Sequence, residues 1–339
     1  MRTGWIIAAL ASAPLGACAS VAPQGLPPVG VQAMAETAPV GTNNEDAADD
    51  PAIWRNAADP AASLIVATDK KAGLYVYGLD GAVKSFIDAG AVNNVDLVDT
   101  GEHGVIVVAS DRNDLTTAKL QFFRLDTVSA ELEPLTTLTA GPGEGYGICL
   151  SWREGALTVY SPVKQGTVYG QRINLDAELS LTSERVLTVP SQPEGCVVDP
   201  RDGTLYVGEE AGGIWRFAAG TDAGEIVAPV DNRYLVADVE GLALVPVGES
   251  GGYLVASSQG DNAYAVFSLP DMTPLGRFAI VAGTVGATEE TDGIELITGD
   301  FGQNFPGGLF VAQDGQNAPA AQNFKLVSWA AIKAALGLD

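Results

Sequence analysis

The sequence predicts an all-β fold, a six-bladed β-propeller with predominantly four-stranded antiparallel blades. Nearly every segment after residue 40 is a short apolar stretch bounded by Gly, Asp or Asn, which is typical of strands joined by tight turns. A segment of the same type returns six times, at a spacing of roughly 40 to 55 residues that suits propeller blades. Helical periodicity is nearly absent before residues 328–336, where we expect a short terminal helix.

The repeat is clearest in the second strand of each unit, which is apolar and ends in a polar cluster. The six copies are Leu64–Lys70, Val105–Arg112, Leu157–Lys164, Leu205–Glu210, Tyr253–Gln259 and Leu309–Asp314. A tandem of β-sandwiches is the structural alternative. It accounts for the pattern less well, because a sandwich does not require the same module six times.

The charge balance excludes several classes of function. The 339 residues include 18 Lys and Arg against 42 Asp and Glu, so the formal net charge is −24. Nucleic-acid partners are not expected, because phosphate backbones need clustered Lys and Arg. The single His, His103, excludes any mechanism that requires two. The acidity is compatible with a calcium-binding protein, a halophilic surface or a soluble secreted protein.

The N-terminus predicts export. Residues 1–17 combine a short apolar run with small residues, which is typical of a signal peptide. The order Leu15–Cys18 resembles a bacterial lipobox, which would make Cys18 the lipidated first residue of a lipoprotein facing the periplasm or held in the outer membrane. The order Ala17–Ala19 also fits an ordinary cleavage site and simple secretion. Residues 18–40, rich in Pro, Ala and Gly, predict a flexible tether, and residues 41–339 predict the propeller domain.

Two cysteines remain after such processing, Cys149 and Cys196. In an oxidising compartment they predict a disulfide. Two separate buried thiols are the alternative. Neither cysteine has the sequence context of a nucleophile.

Each repeat opens with an acid or Asn at the start of its first strand. These positions include Asp49, Asp50, Asn93, Asn94, Asp96, Glu144, Glu194, Asp238, Glu240 and Asp292. The innermost strands of a propeller run the same way around the axis, so these side chains converge on one face. A ring of like charges is unfavourable without counter-ions. Oxygen ligands without His or Cys indicate calcium.

The ends of the second strands divide the ring into two halves. The first three carry cations: Lys70 with Lys71, Arg112 and Lys164. The last three carry Glu209 with Glu210, Gln259 and Asp314. A site that is half cationic and half loaded with calcium suits a ligand with several phosphate groups.

An ordered set of motifs resembles the β-propeller phytases, the alkaline calcium-dependent phytase family. The set covers about residues 45–329 and follows the family order. Its members are Asp46–Trp54, Asn93–Asp96, Ala109–Arg112, Tyr146–Gly147, Glu194–Cys196, Leu205–Glu210, Asp238–Leu242, Gly252–Gly260, Thr291–Ile294 and Gly308–Asn317.

The resemblance implies hydrolysis of phytate, myo-inositol hexakisphosphate, to lower inositol phosphates and inorganic phosphate by a calcium-bridged water. It implies several bound Ca²⁺ ions. The implied catalytic residues are Lys70, Arg112, Tyr146, Glu194 and Glu210. The implied substrate-binding residues are Lys70, Lys71, Arg112, Tyr146, Lys164 and Arg233. The implied metal-binding residues are Asp50, Asn94, Asp96, Glu194, Glu209, Glu210, Asp238, Glu240, Gln259, Asp292, Asp314 and Asn317. Two departures from the family pattern, Asp111 and Asp261, are expected to add acids beside the site.

Two other functions stay open on the sequence. One is a calcium-dependent lactonase or esterase on a six-bladed propeller, which needs one calcium ion and no cationic residues. The other is a non-enzymatic, lipid-anchored propeller that serves as a binding platform. In every case we expect a monomer whose only contact with a membrane is the N-terminal lipid anchor.

Overall fold

The computed structural model describes residue 1 and residues 24–43, 46–176 and 178–338. Six β-sheets are arranged as a six-bladed propeller, so the predicted fold class is confirmed. The predicted signal peptide and Cys18 lie outside the described residues.

Two strands precede the first blade, β1 Val29–Gln32 and β2 Ala35–Glu36. Blade one comprises β3 Ala48–Trp54, β4 Leu64–Asp69, β5 Gly73–Gly78 and β6 Val83–Asp88. Blade two comprises β7 Val92–Asp99, β8 Val105–Asp111, β9 Thr117–Asp126 and β10 Glu131–Pro142. Blade three comprises β11 Cys149–Arg153, β12 Ala156–Val163, β13 Thr167–Asn174 and β14 Ser180–Thr188.

The second half of the ring continues the pattern. Blade four comprises β15 Pro193–Val198, β16 Leu205–Glu209, β17 Gly213–Phe217 and β18 Gly224–Pro229. Blade five comprises β19 Val239–Val247, β20 Gly251–Ser258, β21 Ala263–Leu269 and β22 Thr273–Val281. Blade six comprises β23 Ile294–Thr298, β24 Gly308–Asp314 and β25 Asn323–Ser328, and the helix α1 Trp329–Leu336 follows it.

The strands from β3 to β25 lie in chain order within each blade, and neighbouring strands among them are antiparallel. The second strands β4, β8, β12, β16, β20 and β24 coincide with the six repeats found in the sequence. Their apolar side chains are buried in clusters that mostly span two neighbouring blades, such as the one that contains Val66 of blade one and Val107 of blade two. The core therefore forms where the second strands of neighbouring blades pack against each other.

The N-terminal segment corrects one prediction, because residues 29–40 are part of the propeller and not a tether. Strand β1 pairs in parallel with β22, with Val29 opposite Phe278, and gives blade five a fifth strand. Strand β2 pairs with β25 and supplies the fourth strand of blade six. The outer strands of these blades would otherwise expose unpaired N–H and C=O groups. These added strands are only four and two residues long, too short to give a clear sequence pattern.

A disulfide joins Cys149 to Cys196, as predicted. It links β11 to β15, which are the first strands of blades three and four. The predicted terminal helix is also confirmed: α1 begins at Trp329 and ends at Leu336, with Gly337 in the left-handed conformation after it. None of the helices in the described ranges is long and apolar enough to cross a membrane.

Candidate active site

The first strands of four blades begin with a bulge. The register against the second strand shifts between Ala48 and Pro51 in β3, and equivalent shifts occur in β7, β15 and β19. Hydroxyl groups of the second strands accept the displaced N–H groups: Thr68 Oγ1 accepts from Asp50 at 2.9 Å, and Ser110 Oγ accepts from Asn94 at 2.9 Å. Bulges next to active sites re-aim side chains. Here they occur where the acidic motifs open.

Glycines bring the first strands of neighbouring blades together. A Cβ atom on Gly195 would lie 2.1 Å from the carbonyl oxygen of Glu240, and one on Gly293 would lie 2.3 Å from Asp50 Oδ1. Any side chain would force the strands apart. The acid–Gly pairs of the sequence thus have a structural cause: the glycine lets the next blade approach, and the acid beside it faces the axis.

Three carboxylates meet at this end of the axis, and we call them the glutamate cluster: Glu194, Glu210 and Glu240. Each offers an oxygen within 4.8 Å of the others. They line an open cavity of about 780 Å³. Other residues that line the cavity are Asp46, Lys70, Tyr146, Asp238, Gln259, Asp292 and Asn317.

The glutamate cluster brings three carboxylates together, and not all of their oxygens have a hydrogen-bond donor. Glu240 Oε2 is buried and has no hydrogen-bond partner. Burial, and then repulsion from Glu194, raises the pKa of Glu240 well above its usual range. Burial raises the pKa of Glu210 to about 7, with repulsion from Glu194 and Asp238 added and a hydrogen bond from Gln192 opposing it. These groups would be stabilised as carboxylates by a bound cation.

Lys70 lies beside the glutamate cluster and is held by three carboxylates. Its Nζ atom is 2.7 Å from Asp46 Oδ1, 3.2 Å from Asp49 Oδ2 and 3.1 Å from Asp292 Oδ2. Burial disfavours its charge, but Asp49 and Asp292 outweigh burial and raise the pKa of Lys70. Burial raises the pKa of Asp292 to about 6, against the lowering effect of Lys70. The ammonium group therefore stays charged at the floor of an acidic cavity.

A single side chain links the cationic half of the ring to the glutamate cluster. Asn93 accepts a hydrogen bond from Arg112 Nη1 at 2.7 Å through Oδ1. Its Nδ2 donates to Glu194 Oε1 at 2.6 Å. Asn93 thus orients the Arg112 guanidinium and the Glu194 carboxylate relative to each other.

The ring of Tyr146 lies close to two further cations of the site. Arg112 Cζ is 5.3 Å and Lys164 Nζ is 4.7 Å from the centre of its ring. Burial, with Glu194 next, raises the pKa of Tyr146, so its hydroxyl stays protonated. The ring thereby supports two cations at the edge of the cavity. Lys70, Arg112, Tyr146, Lys164 and the glutamate cluster are the predicted residues that the fold brings together.

Several predicted metal ligands lie deeper along the axis. Asp50, Asn94 and Asp96 line a second cavity, together with Glu295. Asp50 Oδ2 accepts the N–H of Val95 at 3.1 Å, and Asp96 Oδ2 accepts the N–H of Leu150 at 2.7 Å. Burial raises the pKa of Asp96 to about 7 and that of Glu295 to about 8, where repulsion from Asp96 adds to the shift. The structure does not place these residues with the glutamate cluster.

Glu209 and Asp314, two predicted metal ligands, are engaged elsewhere. Glu209 accepts hydrogen bonds from Ser191 and from Trp215 Nε1, at 2.5 and 2.8 Å. Asp314 Oδ2 lies 3.0 Å from the fully buried Lys325 Nζ. The latter position already holds a cation, which is an ammonium group of the chain.

The remaining predicted ligands lie around the cavity. Asn317 lines it, although its Oδ1 is 3.4 Å from Lys325 Nζ. Gln259 donates from Nε2 to Asp292 Oδ1 at 2.6 Å, and Asp238 lies near enough to Glu210 to raise its pKa.

Four predicted substrate ligands, Lys71, Arg112, Lys164 and Arg233, are not among the residues that line the cavity. Arg112 and Lys164 lie next to Tyr146, which does line it. Lys71 and Arg233 are exposed. The Arg233 carbonyl instead accepts the N–H of Leu26 at 2.7 Å, which holds the N-terminal segment.

Asp111 and Asp261, the two departures from the family pattern, are both engaged in local contacts. Asp111 Oδ1 accepts the N–H of Asn113 at 2.7 Å. Asp261 Oδ1 lies 2.5 Å from Arg277 Nη2, and its Oδ2 accepts the N–H of Gly25 at 2.7 Å.

Four residues of the site received no role of their own from the resemblance, although the last three were among the residues that open the repeats: Asp46, Asp49, Asn93 and Glu144. Two of them, Asp49 and Asn93, are the first members of the pairs Asp49–Asp50 and Asn93–Asn94. The doubled polar residue was the available signal. The bulge decides which member faces the cavity, and that choice has no sequence signature.

Comparisons with known proteins match nearly the whole chain. A family model described as Phytase matches residues 6–339. The chain is 36% identical over 328 residues to the 3-phytase of Bacillus subtilis (strain 168), covering 91% of this chain and 85% of that protein.

Solved structures show the fold alone. A structure of U3-55K has a TM-score of 0.55 at 12% identity, covering 84% of this chain and 79% of the other. A chain of a mitotic checkpoint complex has a TM-score of 0.53 at 13% identity, covering 97% of this chain and 86% of the other. On the family match and the curated relative, the chain belongs to the phytase family and is a phosphoric monoester hydrolase similar to 3-phytase.

Proposed function

We propose that this protein hydrolyses phytate to lower inositol phosphates and inorganic phosphate, that it depends on calcium, and that a water molecule attacks the phosphorus atom. The family membership supports the substrate class. The observation that carries the calcium requirement is the glutamate cluster, in which Glu240 Oε2 is buried without a partner. A buried carboxylate oxygen without a donor is costly, and a cation removes that cost.

The donor set fits calcium. The glutamate cluster and its neighbours offer carboxylate and amide oxygens, and no His or Cys lines the cavity. Hard oxygen donors favour Ca²⁺ or Mg²⁺, and calcium accepts the larger and less regular sets of ligands. Asp238, Gln259 and Asp292 line the same cavity, so it has ligands for several ions.

When bound, calcium would supply counter-charge for the phosphate oxygens and a more acidic water. The residues of the chain do the rest. Arg112 binds phosphate oxygens through its planar guanidinium, oriented by Asn93. Lys70 donates to the oxygen on which charge develops, and its three carboxylates hold it in place before substrate arrives. No covalent phosphoenzyme is needed, since the cavity holds no His or Cys nucleophile.

A polyphosphorylated ring suits the layout of charges. Lys164 and Arg112 both lie within 5.3 Å of the centre of the Tyr146 ring, and Tyr146 lines the cavity together with Lys70 and the glutamate cluster. One phosphate group at the cluster and a neighbouring one at Lys164 would orient the ring for attack. A lactone or simple ester would leave this second cationic position unused.

The decisive experiment is phosphate release from phytate as calcium is titrated from zero. We expect no release after exhaustive chelation, recovery on calcium addition, and an optimum at neutral to alkaline pH. A Glu240→Gln variant should need more calcium for half-maximal activity. Activity that survives chelation would overturn the calcium requirement, and an absence of phosphate release at every calcium concentration would overturn the substrate.

We further propose that the chain is exported, carries a lipid on Cys18 and acts as a monomer at the periplasmic face or the outer membrane. The lipobox-like sequence supports the lipid anchor. Expression with Cys18→Ala should move the protein from the membrane fraction to the soluble fraction. Equal distribution of both forms would contradict it, and light scattering would test the monomer.

A further inference from the structure

Glu144 forms ion pairs with both cations that lie next to the Tyr146 ring. Its Oε1 atom is 2.5 Å from Arg112 Nη2 and 3.1 Å from Arg112 Nε. The same oxygen is 3.9 Å from Lys164 Nζ. One carboxylate oxygen therefore accepts two donors of Arg112 and forms a longer ion pair with Lys164.

The position of this Glu144 oxygen is where a phosphate oxygen would bind. A guanidinium binds a carboxylate and a phosphate with the same donor geometry. The Glu144 side chain is largely covered, at 13% exposure, while those of Arg112 and Lys164 are 24% and 33% exposed. The ion pair is thus partly shielded from water, and both cations lie next to Tyr146, which lines the cavity.

A ligand phosphate and the Glu144 carboxylate cannot both take these donors. Their charges have the same sign, and close approach of two anions is unfavourable. Phosphate binding at Arg112 and Lys164 therefore requires Glu144 to withdraw. The withdrawal is a rotation of the Glu144 side chain, because its backbone is held: the N–H donates to Gln165 Oε1 at 3.1 Å and the carbonyl accepts the N–H of Lys164 at 3.1 Å.

We infer that Glu144 is a specificity-determining residue. Its carboxylate competes with phosphate for Arg112 and Lys164 and thereby weakens the binding of single phosphate groups there. Every ligand must displace it. A ligand with several phosphates recovers the loss through contacts at Lys70 and the glutamate cluster, whereas inorganic phosphate cannot. The inference rests on the proposed function, and it predicts weak product inhibition by inorganic phosphate.

The test compares Glu144→Gln with the unaltered protein, both loaded with calcium. Calorimetry measures binding of inorganic phosphate and of inositol hexasulfate, a non-hydrolysable polyanion. We expect phosphate to bind at least tenfold more tightly to the variant, and inositol hexasulfate to gain less than phosphate. The inhibition constant for phosphate should fall in parallel.

Two further variants make the result specific. Glu133→Gln removes an Arg ion pair of the same type on the exposed face of β10, where Glu133 Oε2 is 3.2 Å from Arg124, and should leave phosphate binding unchanged. Adding Arg112→Ala to Glu144→Gln should abolish the gain. Glu144→Ala should act in the same direction as Glu144→Gln.

Unchanged or weaker phosphate binding in Glu144→Gln would overturn the inference, since a residue that only positions Arg112 would lose affinity when its charge is removed. Absence of phosphate binding in both proteins would also overturn it. Failure of the proposed function has a different signature, namely an unaltered protein that releases no phosphate from phytate while the binding difference persists.

Discussion

Glu209 and Glu210 are adjacent in the chain, yet their carboxylates lie in different environments. Glu209 accepts hydrogen bonds from Ser191 and Trp215, whereas Glu210 belongs to the glutamate cluster. Glu209 ends β16, and Glu210 follows in the turn. Because side chains alternate along an extended chain, only one of the pair can face the axis.

Replacing these two residues gives a matched test of the metal site. We expect Glu210→Gln to raise the calcium concentration for half-maximal activity at least tenfold, because it removes one charge from the cluster. Glu209→Gln should change that value less than twofold, since a Gln oxygen still accepts from Trp215. Calcium titrations of phosphate release measure both. A change of less than twofold in Glu210→Gln would show that Glu210 is not a calcium ligand.

Lys70 and Lys71 form a second matched pair. Lys70→Met should lower kcat/KM for phytate more than 100-fold, because the buried ammonium among Asp46, Asp49 and Asp292 is lost. Lys71→Met should lower it only a few-fold, since Lys71 is exposed and does not line the cavity. Steady-state kinetics at saturating calcium separates the two. A larger loss of kcat/KM in Lys71→Met than in Lys70→Met would show that Lys71, and not Lys70, takes part in the chemistry.

Asp261 and Arg277 hold the N-terminal segment, so Asp261→Asn should destabilise the fold. The Arg277 side chain is 1% exposed and that of Asp261 is 5% exposed. Breaking such a pair leaves a buried charge and costs about 3–5 kcal/mol. Urea unfolding measures the loss, while kcat should change less than twofold.

The control for this pair is Asp222→Asn, which removes an ion pair of Arg185 in which the aspartate is 67% exposed. An exposed pair contributes up to about 1 kcal/mol. If both substitutions destabilise the protein equally, the segment before β1 is not held by Asp261.

Asp96 and Glu295, which line the second cavity, make the stability of the fold depend on pH in a predictable direction. Their pKa values in the unfolded chain are about 4. In the folded chain burial raises them to about 7 and about 8. The folded protein therefore binds more protons between these limits, so the free energy of unfolding falls as pH rises from about 4 to about 8.

Glu295→Gln should flatten this decline and make the calcium-free protein more stable at pH 9 than the unaltered protein. Urea unfolding in a chelator at pH 5, 7 and 9 provides the measurement. The comparison of slopes isolates this pair from the other acids of the axis. If the free energy of unfolding falls with pH at the same slope in both proteins, Glu295 does not titrate in the folded protein over this range.

Removing the disulfide with Cys149→Ser and Cys196→Ser should lower stability without changing the site. The bond closes a loop across a separation of 47 residues. Chain entropy assigns such a loop about 4 kcal/mol. Thermal unfolding should shift downward by several degrees, and reducing agent should have the same effect on the unaltered protein but none on the double variant.

The fold was predictable because it depends on repetition. The second strands from β4 to β24 recur with the same apolar pattern, and only a closed ring buries six copies of one module. The N-terminal strands β1 and β2 were not predictable. They are short, and their place is defined by unpaired edges more than 200 residues away in the chain, at β22 and β25.

The sequence by itself determined the propeller, the acidic axis and the cations that face it, because each follows from a residue type recurring at one position of a repeat. Only the tertiary structure decided which acids meet. At the bulge, the Asp49 carboxylate lies next to Lys70, whereas the Asp50 carboxylate accepts the N–H of Val95 and lines the second cavity. Lys325 takes the place of a metal at Asp314, and Glu144 covers Arg112. These choices depend on distances of a few ångströms between blades, which the order of residues along the chain does not record.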